Sequence, residues 1–250
     1  MKWFFPFFLL AFMGLSDAFS QSLIRKNLDL QDYQYKKEAS GGVRVQTNGF
    51  SVFGEGGWIK DLKSTRLIQV EYSYYIDYRQ KGKSSDNGGR KFVYGLRNRF
   101  HILRFSAGMK KTIADKADRN GLRLSFVGFG GISLGLLKPY YLLLRQPTDV
   151  PPYFADERYT DENATRFLSL DSIVGAGSAT KGLDKIQPVP GVHGKIALDF
   201  DWGKKDEFVK ALEVGMMLDL YYKRVPIMIN SSNRFYQVAL FVSFQFGKRW

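Results

Sequence analysis

The sequence has two histidines, His101 and His193, and no cysteine. Its options for side-chain chemistry are therefore few. Lys195 and Asp199 share the alternate positions of His193. A histidine oriented by a carboxylate takes a hydroxyl proton near neutral pH, so such a group would serve a serine–histidine–acid site. No serine is placed beside His193 by the pattern, and no catalytic residue is assigned. His101 precedes the clear part of its strand and reads as an interfacial residue. Without cysteine there is no disulfide and no thiolate zinc site. Asp156, Glu157, Asp161 and Glu162 cluster, but without the ligand spacing of a calcium loop, and read as a solvated helix start. The glycine-rich "VGFGGISLG" (127–135) lacks the Lys-Ser/Thr and helix of a phosphate loop and reads as a closely packed strand. No metal or cofactor is expected. The remaining candidate is a surface one. In "RQKGKSSDNGGRKFV", Arg79, Lys81, Lys83, Arg90 and Lys91 face a single acid, Asp86. These residues suit charge-assisted contacts with anionic lipid headgroups.

The elements that must carry these residues are strands. Leu212, Val214, Met216, Leu218, Leu220 and Tyr222 alternate with Glu213, Gly215, Asp219 and Lys223. Period two with one apolar face means a strand. The same alternation predicts eight strands, at about 33–47, 50–60, 65–78, 94–110, 121–137, 191–202, 207–223 and 234–247. The first two are separated by Asn48-Gly49, where the apolar phase flips, as at a hairpin turn. One bulged strand in their place would make the count seven. Such strands exceed the usual globular length of about 3–10 residues and match an antiparallel transmembrane β-barrel with aromatic girdles. An eight-stranded barrel is filled by side chains. The inward charges Glu71, Asp77, Arg123, Lys195, Asp199, Asp201, Glu213, Asp219 and Lys223 are therefore expected to pair inside it.

The bulk numbers agree. The 250 residues are 44% hydrophobic and 16% aromatic, enough for one barrel. Residues 1–20 read as a cleaved secretory signal. Lys2 precedes an apolar run from Phe4 to Leu15, and Ala18 and Ser20 occupy small-residue cleavage positions. The mature chain would be 21–250. Its charge stays at +13, since the signal removes one base, Lys2, and one acid, Asp17. In an exported protein this charge favours an anionic lipid surface over nucleic acid. Asn163-Ala-Thr and Asn230-Ser-Ser match a glycosylation pattern and read as chance in a bacterial chain.

The chain ends "YQVALFVSFQFGKRW". Phe244, Phe246 and Trp250 share the apolar phase. This ending resembles the C-terminal recognition strand of bacterial outer-membrane proteins, which the barrel-assembly machinery reads. With the signal and strand pattern, the chain resembles the small eight-stranded outer-membrane β-barrels as a broad class. The resemblance implies outer-membrane location and contact with the assembly machinery; it implies no activity. Short connections would then be periplasmic. The Asn-Gly turn, 79–93, 138–190 and 224–233 would be extracellular. The long loop 138–190 is too long for a simple connection. Within it "PYYLLLR" is expected to extend a strand and "DENATRFLSLDSIVGAG" to form a short helix. The expected function is a non-enzymatic barrel that contacts lipopolysaccharide or an envelope protein through its loops. The alternatives are a small outer-membrane enzyme acting on lipid A or protein, or a narrow transporter.

Overall fold

A computed structural model describes residues 35–61, 63–80, 82–83, 90–116, 121–146, 153–203, 207–229 and 233–250. The expected signal and Lys81 lie outside the described residues. In chain order the strands are β1 (Lys37–Gln46), β2 (Gly49–Asp61), β3 (Ser64–Tyr75), β4 (Gly82–Lys83), β5 (Phe92–Val93), β6 (Asn98–Ala114), β7 (Arg123–Pro139), β8 (Tyr141–Arg145), β9 (Phe154–Arg158), β10 (Ile173–Ala176), β11 (Gln187–Asp201), β12 (Phe208–Tyr221) and β13 (Tyr236–Arg249). Eight of them close an antiparallel barrel in the order β1-β13-β12-β11-β7-β6-β3-β2. Each strand pairs with its neighbours in sequence, and the last pairs with the first. Closure leaves no edge, so the ladder's backbone groups are satisfied without water.

The hairpin at the N-terminus is real. Gln46 pairs with Gly49, so the two turn residues are Thr47 and Asn48, one position earlier than the Asn-Gly motif suggests. Gly49 has φ +141°, and a Cβ there would lie 2.0 Å from the Tyr74 carbonyl oxygen, so glycine is required. Register shifts fall at Ile59/Asp61 and Thr112/Ala114, next to short turns, where bulges commonly end strand pairing.

The two faces separate by chemistry. Val45, Val70, Phe105, Ile132, Ile196, Met216 and Leu240 lie on the outer face and are exposed. Trp58, Trp202, Phe208, Phe246 and Trp250 border this belt at the short-turn end. Phe50, Tyr72, Tyr78, Tyr222, Phe235 and Tyr236 border it at the other. Large exposed apolar surfaces are rare on soluble monomers. An apolar band between two aromatic girdles is what a bilayer selects. Inside, a mid-lumen layer of Leu67, Val127, Phe129, Ala197, Met217, Ala239 and Phe241 is buried among polar side chains.

The connections alternate in length. At one end lie the short links after β2, β6 and β11. At the other lie the Thr47-Asn48 turn and the segments 76–97, 140–186 and 222–235. The longest differs from expectation in detail. Tyr141–Arg145 is a separate strand, and β10-β8-β9 form a three-stranded sheet. The helix α1 covers only Ala164–Leu168 and is followed by a 3-10 turn, Leu170–Ser172. The expected second half of the helix, Ile173–Ala176, pairs instead with Leu142–Leu144. A β-branched pair, Ile173-Val174, prefers that pleated surface to a helix.

Candidate functional site

The lumen carries the densest charge. Arg44, fully buried, is the hub. Its guanidinium binds Glu71 and lies 3.4 Å from Glu213, between the rings of Phe53 and Phe241 at 4.5 and 4.4 Å. Glu71 also takes Arg104, which makes a forked contact with Asp219 (Nη2–Oδ2 2.7 Å, Nε–Oδ1 3.1 Å). Glu213 also takes Lys195 at 3.0 Å. Nearer the short-turn end, Glu38 joins Lys110 (3.2 Å) to Arg249 (3.1 Å), and Arg249 reaches Asp201 at 2.9 Å. Strand phase positions these groups: residues 69, 71 and 73 of β3 all point inward because Ile68, Val70 and Tyr72 point outward. Buried ions persist only when paired.

The sequence expectation of internal pairing holds for Glu71, Lys195, Asp201, Glu213 and Asp219. Asp199 is buried, but its Oδ2 has no hydrogen-bond partner among the described residues. Three residues differ from expectation. Lys223 lies past the end of β12, exposed, with its ammonium 5.3 Å from the Tyr222 ring. Arg123 sits at the strand end and binds Asp115 at 2.8 Å. Asp77 lies past β3 and pairs with Arg79. Each falls where the strand ends earlier, or starts later, than alternation alone marks it. Pattern reading missed Arg44, Glu38, Glu55, Lys110 and Arg249 as lumen groups. Their inward parity was a usable signal.

His193 is buried, and its Nδ1 lies 3.0 Å from Asp219 Oδ1. Its Nε2 has no partner among the described residues. The arrangement has the two parts of a proton-transfer pair. The layers above it are closed, however. Tyr221 lies one inward step along β12 from Asp219, and Phe100, Leu137 and Val189 are buried beyond it. Ser133, on the adjacent strand, pairs with Gly191 rather than with His193. His101 faces outward, where Tyr72 Oη lies 2.7 Å from its Nδ1; this is the interfacial place expected of it. The glycine-rich stretch is closely packed at Gly131, where a Cβ would meet the Phe105 carbonyl oxygen at 2.1 Å, and at Gly135, against the Phe100 ring. Gly130 has open space.

The loop-end surface has its own core. Phe92, Leu96, Leu142, Leu144, Phe167, Ile173 and Ile227 pack with Phe100 and Leu137 of the barrel in one cluster. The connections thus form a folded cap over the lumen mouth. Of the predicted lipid-contact residues, Arg79 is held by Asp77 (Nη2–Oδ2 2.5 Å). Burial opposes ionisation of Asp77, but the hydrogen bonds and charge of Arg79 outweigh it and lower the carboxyl pKa. Lys83 lies 4.8 Å over the Tyr94 ring. Arg90 and Lys91 are exposed beside β5. The acidic cluster is divided: Glu157 binds Arg166, Gln146 and Asn163, and Asp156 binds Lys181. Among the described residues no His, Asp and Glu group is arranged to hold a metal ion.

At the other end, Phe244, Phe246 and Trp250 are exposed on the outer face in one phase. Trp250 is tied back to β1 through its backbone, with Lys36 and Lys37 N–H groups donating to its carbonyl.

No protein-family model matches the sequence, and no curated protein matches it. Among solved structures the chain is similar to the attachment invasion locus protein Ail of Yersinia pestis, determined in complex with the heparin analogue sucrose octasulfate. The identity is 9%, over 86% of this chain and 97% of that one, with a TM-score of 0.43. It is also similar to Neisserial surface protein A (9% identity, 85% and 94% covered, TM-score 0.37). A third is the N-terminal β-barrel domain of Pseudomonas aeruginosa OprF (8% identity, 84% and 96% covered, TM-score 0.33). With its closed ladder, apolar outer wall and ion-paired lumen, the chain has the fold of the small eight-stranded outer-membrane β-barrels.

Proposed function

We propose that the protein is a non-enzymatic barrel of the bacterial outer membrane, exported by a cleaved signal, that works through its cap. The cap meets lipopolysaccharide or an envelope partner, and the strands anchor it. The observation that carries this reading is the contrast between the two surfaces. The lumen is filled by ion pairs and an apolar layer, while the loop end holds a folded cap with its own buried core. A filled lumen gives no route for a transported solute. In this reading Phe244, Phe246 and Trp250 form the assembly signal. Arg79, Lys81, Lys83, Arg90 and Lys91 contribute to headgroup contact, with Arg79 the weakest because Asp77 already neutralises it.

The enzyme reading is favoured by one observation, the His193–Asp219 pair, in which the histidine Nε2 has no partner among the described residues. Against it stands the closed layer above. Recovery from membranes in mild detergent tests both. A heat-modifiable protein in the outer-membrane fraction, with a stable companion, is the expected result. A solitary barrel that changes the mass of lipid A, and loses that activity in His193→Ala, would favour the enzyme. A soluble periplasmic monomer would overturn the membrane location.

A further inference from the structure

Arg99 of β6 and Lys138 of β7 are directly opposed in the barrel ladder. Their neighbours Phe100 and Leu137 point inward and are buried, so both cations face the outer wall. Like charges directly opposite destabilise a strand pair. Nothing among the described residues offsets this pair with an acid. The Arg99 guanidinium lies 5.3 Å over the Tyr140 ring, and the Lys138 ammonium donates to the Ala179 carbonyl. Together with Tyr141, Ser178 and Lys181 they line a narrow cleft of about 20 Å³, room for one water-sized group. A single phosphate oxygen would enter it, with the rest of the group at its mouth. Lys181 is already engaged by Asp156 at 2.9 Å, which leaves the opposed pair as the free charge.

The height of the pair on the wall identifies the ligand's other half. One outward step toward the barrel's middle, His101 pairs with Leu136; the next pair is Leu103 and Leu134. Tyr74 and Tyr72 flank these on β3. At about 3.3 Å per residue, the cations stand roughly 7 Å above the first of these pairs, where the apolar wall gives way to the cap. An anion held there has an apolar surface directly beneath it. Free phosphate would use the cations alone; a lipid would use both.

We propose that Arg99 and Lys138 form a clamp for the phosphate of a lipid in the surrounding leaflet, with the lipid's acyl chains against Leu136, Leu134 and Leu103. This rests on the reading that the barrel spans the outer membrane with its cap outward. It places the main headgroup contact on the barrel wall rather than in the basic loop 79–91.

The test uses the full-length protein in detergent, with lipid binding followed by native mass spectrometry and thermal unfolding. The probes are bis-phosphorylated lipid A, the same lipid with both phosphates removed, and inorganic phosphate. Wild type should retain one molecule of the phosphorylated lipid and gain thermal stability from it. Arg99→Gln/Lys138→Gln should bind it at least about tenfold more weakly. Without lipid, the variant should unfold at the same temperature as wild type or above it, because the opposed charges are gone. Lys83→Gln/Arg90→Gln/Lys91→Gln should lose less affinity than the wall variant, and a larger loss there overturns the wall as the main contact. Equal binding by the wall variant, or equal binding of the dephosphorylated lipid, overturns the clamp. Competition by inorganic phosphate as strong as that by the lipid overturns the lipid as its source. Recovery of the protein as a soluble monomer overturns the underlying membrane reading, a result separable from all of these.

Discussion

At the scale of single residues the lumen is the part most exposed to one change. Arg44 stands between Glu71 and Glu213 with no water-facing surface. Arg44→Met would leave Glu71 with Arg104 and Glu213 with Lys195 as their remaining cations, and removing one side of a buried ion pair costs up to about 3–5 kcal/mol. The midpoint of urea unfolding in detergent should fall accordingly. Glu71→Gln in the same background should restore part of the loss, since Arg104 keeps Asp219 and Lys195 keeps Glu213, and unchanged stability in Arg44→Met would show that the network is slack. The partners of Arg44 were not legible beforehand. Its inward parity follows from Val43 and Val45, but Glu71 and Glu213 are 27 and 169 residues away, and only barrel closure brings them together. A second residue-scale prediction concerns pH. Asp77 lies outside the spanning strands, and Arg79 lowers its pKa despite its burial. A depressed carboxyl contributes stability above its unfolded value, about 3.9, and loses it as pH falls through the lower folded value. The Arg79 amide donates to Asp77 Oδ1 at 3.0 Å. Its hydrogen-exchange protection should therefore persist at about pH 4 and be lost only at lower pH, as the depressed carboxyl protonates, and be absent at every pH in Asp77→Ala. Protection that persists in Asp77→Ala would contradict the role given to this contact.

At the scale of elements, the barrel strands were legible almost to their ends, because a buried lumen and an apolar wall enforce period two along every one. The cap was not. Its strands β8, β9 and β10 are short, and their apolar residues serve a local core rather than a wall. Ile173–Ala176 looks helical in spacing, yet it pairs with β8 because Leu142 and Leu144 offer it a buried ladder. The terminal strand gives the sharpest element-scale prediction. Deleting residues 247–250 removes Trp250, but it also removes Arg249, which closes the short-turn end through Glu38 and Asp201. Poor assembly after that deletion would confuse two causes. Trp250→Ala separates them: slow assembly with normal stability once folded is the expected outcome if this aromatic is the one recognised. Arg249→Gln should assemble at a normal rate and unfold more easily. If Trp250→Ala assembles at the wild-type rate and Phe246→Ala does not, the effective terminus is Phe246.

At the scale of the whole molecule, the two ends of the barrel are chemically distinct. One end has short links, both termini of the barrel ladder and the tryptophans of the described chain; the other has the cap and a tyrosine-rich girdle. A chain whose connections lengthen only at one end is expected to keep the short turns periplasmic. The absence of cysteine makes this orientation directly measurable, since any introduced thiol is the sole target for a maleimide. Leu183 is 58% exposed in the cap, and Lys63 is exposed in the turn between β2 and β3. Neither makes an ion pair among the described residues, so substitution should leave the fold intact. Leu183→Cys should react with a membrane-impermeant maleimide on intact cells. Lys63→Cys should react only after the outer membrane is opened. The reverse pattern would put the cap in the periplasm, and with it the Arg99–Lys138 pair against the inner leaflet. Equal labelling of both sites on intact cells would mean that the apolar wall is not holding the barrel across a sealed bilayer.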